Sequence, residues 1–359
     1  MKKRLSLLLS NIKVFSLVIA FMLVAPVIGF SIKPVESENK QTLSLVGFLD
    51  LEPYVSMSPQ NGNSSGVDLA EVRFGFEWKP SKHILVHADV LAFGSTEGED
   101  LTVGPGEIYG EVTLSENLPI FIRGGKWELH STRSRRIFPF VTDSYVTEAA
   151  MMDSGAVELG YKVEDFLRVA VGLYDSADDP TSVGQSFDDI SNLFAHLTIT
   201  PKIGETKLFF NVGYITHAGD TANGGNYYEL ATASNFPDKV GGLVFEFMLD
   251  HKLIHALAAG FMRLGDVVEY PVQNSFRVEL GYKKAGPLFV GALFDYRTLE
   301  PIYENNNLMS SMRAGGLVGL EIADGAAINL EGWHSFSGLE ETKITVQLLF
   351  EIPEHFLKN

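Results

Sequence analysis

From residue 42 to the C-terminus, apolar and polar residues alternate along segments of roughly ten residues. That is the period of a β-strand, whose successive side chains point to opposite faces. In Arg277-Val278-Glu279-Leu280-Gly281-Tyr282-Lys283, one face carries Val278, Leu280 and Tyr282 and the other Arg277, Glu279 and Lys283. The pattern returns from Glu71 to Lys79, where Val72, Phe74, Phe76 and Trp78 oppose Glu71, Arg73, Glu77 and Lys79. It returns again from Lys343 to Ile352, where Ile344, Val346, Leu348 and Phe350 oppose Lys343, Thr345, Gln347 and Glu351. The alternation predicts strands at 42–52, 67–79, 83–94, 107–114, 120–129, 153–163, 166–175, 191–200, 206–217, 239–249, 254–264, 275–284, 288–297, 313–322, 327–336 and 342–352. These are about sixteen, an even number as bacterial barrels have.

Connections between these segments alternate in length. Tight ones carry turn residues: Pro80-Ser81, Ser115 to Pro119, Glu164-Asp165, Pro201 to Glu205, Asp250-His251, Ala285 to Pro287 and Ala323-Asp324-Gly325. Long ones are rich in Ser, Asn, Asp and Gly, as in Ser58 to Gly66, Ser95 to Gly106, Ser176 to Asp189 and Ala218 to Asp238. The pattern predicts an all-β fold, a closed antiparallel transmembrane β-barrel with short periplasmic turns, long extracellular loops and both termini in the periplasm. In hydrocarbon an unpaired N–H or C=O costs several kcal/mol, and only closure pairs every strand edge. Trp78, Tyr161, Tyr214, Tyr282 and Phe350 fall towards strand ends, where aromatic girdles meet the lipid interface. A soluble sandwich or propeller would have to bury both faces or solvate one, and gives no reason for the alternation of short and long connections.

The composition fits this placement, with 34 Gly, 25 Phe and 12 Tyr in 359 residues. Mean hydropathy is near zero because each strand gives half its residues to a polar lumen and never builds the ~20 consecutive apolar residues of a spanning helix. There is no Cys, which excludes disulfides, thiolate metal sites and cysteine nucleophiles. The one long apolar stretch, Val14 to Ile28, follows Lys2, Lys3, Arg4 and Lys13 and precedes the small residues Gly29 and Ser31. That order predicts a secretory signal peptide over 1–31, the competing element being a membrane-anchor helix. A periplasmic linker over 32–41 and the barrel over 42–359 follow. Removing 1–31 takes four basic and no acidic residues, so the formal charge of -17 falls to about -21. No basic domain remains to hold nucleic acid.

The segment from 120 to 161 carries a resemblance. It contains Arg123-Gly124-Gly125-Lys126-Trp127-Glu128, Phe138-Pro139-Phe140-Val141-Thr142-Asp143, Val146-Thr147-Glu148-Ala149-Ala150 and a return strand from Gly155 to Tyr161. This resembles the outer-membrane porins of about sixteen strands, and among them the siderophore-porin type. The resemblance implies a Gram-negative outer-membrane channel without a plug domain for small hydrophilic solutes such as iron chelates. The partners it implies are outer-membrane lipids, lipopolysaccharide and the barrel-assembly machinery, with the protein a monomer or a homotrimer. A general non-specific porin is the alternative within the same fold.

Candidate pore chemistry centres on His130-Ser131-Thr132-Arg133-Ser134-Arg135-Arg136, the densest basic run after the signal peptide, in the third long connection. If it folds inward, His130, Arg133, Arg135 and Arg136 line a constriction that selects anions, with Arg123 and Lys126 adjoining. The alternative is a solvated loop or one pairing with lipopolysaccharide phosphates. Arg73, Arg123, Arg168, Arg263, Arg277 and Arg313 could extend a basic ladder, or could pair with Glu71, Glu111, Glu158, Glu246, Glu279 and Glu321. Acidic clusters at Glu97 to Asp100, Asp175 to Asp179 and Asp188-Asp189 lack EF-hand spacing and predict solvated loops. The nine His residues show no zinc-ligand spacing, so no metal site, cofactor or catalytic residue is predicted. Gly62-Asn63-Ser64-Ser65-Gly66 matches the Gly-x-Ser-x-Gly string but lacks the strand-turn-helix context of a nucleophile elbow. A barrel hydrolase, for example with Ser64 near His217, is the runner-up class.

Overall fold

The computed structural model describes residues 42–59, 62–95, 102–114, 119–129, 146, 153–163, 166–175, 190–216, 241–264, 274–283, 287–298, 310–323, 325–336 and 340–351. Period-two alternation becomes a single antiparallel sheet of β1 (Thr42–Ser58), β2 (Gly62–Ser81), β3 (Ile84–Ser95), β4 (Thr102–Thr113), β5 (Ile120–Glu128), β6 (Asp153–Val163), β7 (Leu167–Asp175), β8 (Ile190–Ile199), β9 (Lys202–Ile203), β10 (Thr206–Ile215), β11 (Gly241–Asp250), β12 (Ile254–Leu264), β13 (Ser275–Lys283), β14 (Leu288–Thr298), β15 (Ser310–Ala323), β16 (Ala326–Ser335) and β17 (Thr342–Glu351). From β1 to β8 and from β10 to β17 each strand pairs with the next, β8 and β9 both pair with β10, and β1 pairs with β2 on one side and β17 on the other, so the sheet closes into a ring.

Sixteen strands span the wall, and β9 has only two residues. It exists because Pro201, without an N–H, interrupts the strand begun by β8. The Leu208 amide still donates to the Pro201 carbonyl at 2.9 Å, and both β8 and β9 pair with β10. Gly204, at φ +62°, supplies the left-handed turn residue between β9 and β10.

Polarity is inverted relative to a soluble protein. Large apolar residues such as Leu159, Leu280 and Leu330 stand outward and are more than half exposed, whereas Glu158, Asp295, Asn329 and Glu331 point inward and are fully buried. An outward exception lies where β17, β1 and β2 meet: Leu49, Leu51 and Leu69 are buried, with Val67, Val72, Leu348 and Phe350 packed against them.

Three strands run well beyond their expected bounds: β4 begins at Thr102, inside the predicted connection Ser95 to Gly106, and β1 and β2 lengthen at their shared hairpin. Ser58 to Gly66 is predicted as a loop, but β1 reaches Ser58 and β2 begins at Gly62, in register from Ser58↔Gly62 to Tyr54↔Gly66. Pro53, which argues for a strand end at Glu52, sits inside β1 opposite Val67. Its missing donor is accommodated on the other side, where the ladder to β17 passes from Leu51↔Leu348 to Tyr54↔Thr345. The expected segments 1–31 and 32–41 lie outside the described residues.

Candidate functional site

Among the described residues, three inward-facing groups of charges stand out. Across β4, β5 and β6 the register runs Glu111↔Arg123↔Glu158, a cation between two carboxylates. Arg123 donates to Glu111 Oε2 from Nε at 3.0 Å and from Nη2 at 2.6 Å, and its Nε lies 3.5 Å from Glu158 Oε1. Lys162 donates to Glu111 Oε1 and Arg168 to Glu158 Oε1. Aromatic faces hold the same cations: Arg123 lies 4.6 Å from the Tyr109 ring and 5.5 Å from Trp127, and Arg168 lies 4.0 Å from Phe121. Three permanent cations face two carboxylates, so this wall carries one excess positive charge.

Across β13, β14 and β15 the order is reversed, Arg277↔Asp295↔Arg313. Asp295 Oδ2 accepts from Arg277 Nη1 at 3.0 Å and from Arg313 Nε and Nη2 at 3.0 and 2.9 Å. Arg277 Nε also donates to Glu279 Oε1 at 2.5 Å. This group is balanced. The third group, on β2, β3 and β4, is acidic. Arg73 donates to Glu71 Oε1 at 2.7 Å and lies 3.4 Å from Asp89 Oδ2, with Glu107 beside them.

An apolar band lies on the same inner wall towards the long-loop end. Trp127, Ala156, Tyr174, Phe194, Ile215, Val244, Ala259 and Phe261 form one buried cluster together with Leu129 and Val146. Val146 belongs to the third long connection and is fully buried. Val146 thus packs on the apolar part of the inner wall.

The expected site residues divide three ways. Arg73, Arg123, Arg168 and Arg277 point inward but are held by carboxylates, so they form paired clusters and not a bare basic ladder. Lys126 stands in register with the outward Ile108, on the face of β5 opposite Arg123, and donates to the Pro105 carbonyl at 3.3 Å. It is therefore not a lumen residue: three positions from Arg123 is an odd number, which changes face. His130, Arg133, Arg135 and Arg136 lie outside the described residues, as do His217 and the acidic segments 97–100, 176–179 and 188–189. Ser64 is in β2 opposite Ser56, so the string from Gly62 to Gly66 is plain strand. Sequence reasoning missed His87, Asp89, Glu107, Lys162 and Asp295. The His87-x-Asp89 spacing puts both on one strand face and was the available signal.

No family model matches the sequence, and no curated protein does. Solved structures do match. The chain superposes on Pseudomonas putida OprB in its high-pH structure with a TM-score of 0.61 at 10% identity, covering 86% of this chain and 94% of that one. The outer membrane channel DcaP of Acinetobacter baumannii gives 0.61 at 11% identity, covering 89% and 100%. The fold is that of outer-membrane channels. A loop-deletion mutant of OmpT, an outer membrane protein of Vibrio cholerae, gives 0.54 at 12% identity over 87% and 99%.

Proposed function

We propose that the protein is a channel of the Gram-negative outer membrane through which small hydrophilic solutes pass passively. The observation that carries this is the inversion of polarity in a closed ring: apolar residues outward, and Arg, Lys, Asp and Glu inward in hydrogen-bonded groups. A wall of this kind satisfies every strand edge in lipid and keeps its charged groups on the side away from the lipid. The excess positive charge around Arg123, Lys162 and Arg168 favours anionic solutes, and Arg133, Arg135 and Arg136 add to it if their segment faces the pore. Uptake of iron chelates rests on the resemblance of residues 120–161 alone, and assembly as a homotrimer is a further part of the proposal.

Purified protein in a planar bilayer tests the reading. Discrete conductance steps with a reversal potential favouring anions are expected under a salt gradient. A silent bilayer with correctly folded protein would remove the channel function. Liposomes that swell equally with a ferric chelate and with a sugar of the same size would remove the chelate preference and leave a general porin.

A further inference from the structure

The acidic group on β2, β3 and β4 is built around an irregularity in the ladder. Ala88 pairs with Ile108 but Val90 pairs with Pro105, so Gly106 and Glu107 together oppose Asp89. This is a β-bulge, which re-aims the side chains beside it. The Glu107 amide donates to Asp89 Oδ1 at 2.9 Å. A Cβ on Gly106 would stand 1.8 Å from that oxygen, so the carboxylate keeps this position only with glycine there. The other oxygen, Oδ2, lies 2.9 Å from His87 Nε2. One donor atom each from His87, Asp89 and Glu107 lies within 4.8 Å of the others.

We infer that His87, Asp89 and Glu107 bind a divalent transition-metal ion of the Zn²⁺ class in the barrel wall. The donor set is one imidazole nitrogen and two carboxylates, which favours Zn²⁺, Co²⁺ or Ni²⁺ over the oxygen-seeking Ca²⁺ and Mg²⁺. Nε2 and Oδ2 lie 2.9 Å apart, at hydrogen-bond distance; ligands held at about 2.1 Å around a tetrahedral Zn²⁺ stand about 3.4 Å apart, so the two atoms need separate by only about 0.5 Å to share an ion. Each ligand is also oriented from behind. The His87 ring lies flat on Tyr109, with centroids 5.1 Å apart and planes 10° apart. Asp89 is held by the bulge amide, and Glu107 Oε1 accepts from the Glu128 amide at 3.3 Å, which leaves its second oxygen for an ion.

Charge gives an independent argument. Glu71, Asp89 and Glu107 face one guanidinium, Arg73, whereas the Arg277 group is balanced. With neutral His87 the excess is two negative charges, which a divalent ion cancels. Binding uses the Nε2 lone pair of the tautomer protonated at Nδ1. A consequence, resting on the channel function proposed above, is that metal removes the cation-attracting part of the wall and leaves the positive Arg123 group to dominate.

The test uses the full-length folded protein in detergent, with Co²⁺ as the probe. One equivalent of Co²⁺ should give a d–d absorption band that equimolar Zn²⁺ displaces and excess Ca²⁺ does not. His87→Gln and Glu107→Gln should each weaken Zn²⁺ binding by more than about tenfold while the protein keeps the resistance to SDS at room temperature expected of a closed, fully paired barrel, because the Asp89 clamp on the bulge is retained. A band that is absent, that survives both substitutions, or that Ca²⁺ displaces overturns the site. The last outcome assigns the ion to acidic loops, and Ca²⁺ competition on the unmodified protein decides even if a variant fails to fold. In a conducting bilayer, Zn²⁺ should move the reversal potential towards anions. Stoichiometric Co²⁺ binding without that shift overturns the selectivity consequence, whereas a silent bilayer speaks only against the channel.

Discussion

Arg123 sits directly across the ladder from Glu111 and gives two of its N–H groups, from Nε at 3.0 Å and Nη2 at 2.6 Å, to one carboxylate oxygen. Both side chains are at least nine-tenths buried. Burying such a pair adds little net stability, but breaking it strands a charge. Arg123→Gln should therefore cost about 3 kcal/mol, seen as a lower temperature for loss of the SDS-resistant band. It should also move the reversal potential towards cations, since the excess positive charge of that wall disappears. A variant with unaltered heat resistance would mean that Lys162 and Arg168 satisfy both carboxylates alone.

Asp295 tests the opposite arrangement. Asp295→Ala leaves Arg277 and Arg313 facing each other without the carboxylate both donate to, at a cost of about 3–5 kcal/mol. Adding Arg313→Met should restore part of the loss, because Glu279 still accepts from Arg277. Additive losses in the thermal unfolding of the double variant would contradict the pairing.

Replacing Arg133, Arg135 and Arg136 together by Ser should shift the reversal potential towards cations and change single-channel conductance. Inside a narrow pore a fixed charge is poorly screened, whereas on the surface ions beyond about 8 Å are shielded at physiological salt. An unchanged potential in a folded variant would put these residues on the outer surface.

Ser64→Ala should leave conductance and heat resistance as they are, because Ser64 is an exposed strand residue opposite Ser56. Loss of a measurable esterase activity in that variant, with conductance kept, would establish the hydrolase function instead.

An epitope tag inserted within 218–238 or 176–189 should be labelled on intact cells, since these connections join strands at the end of the barrel away from the start of β1 and the end of β17. Labelling only after permeabilising the outer membrane would invert the orientation.

Much of the fold was legible because period two is written into nearly every strand. The segments at 153–163 and 254–264 match β6 and β12 residue for residue. Strand ends were less legible where composition imitates a loop: Gly62 to Gly66 is polar and glycine-rich, yet β1 supplies a full partner for it. The site was legible only as far as parity reaches. Parity puts Arg123 and Glu111 inside, but their meeting depends on the stagger between β4 and β5, which no single strand encodes. Lys126 was misplaced although parity was sufficient to exclude it. The acidic group on β2 to β4 escaped because a bulge, set by Gly106 and Asp89, breaks the very period that reveals the rest.

The pairing of β1 with β17 sets Phe48 opposite Glu351, residues from the two ends of the described chain. Contacts of such separation form slowly, since nearly the whole polypeptide must be looped before they are gained. The ring can close only after β17 has been made and has arrived. Until then β1 exposes one hydrogen-bonding edge that would recruit any other strand. Correct folding therefore depends on β1 being kept from other strands until β17 can complete the ring in a single late event.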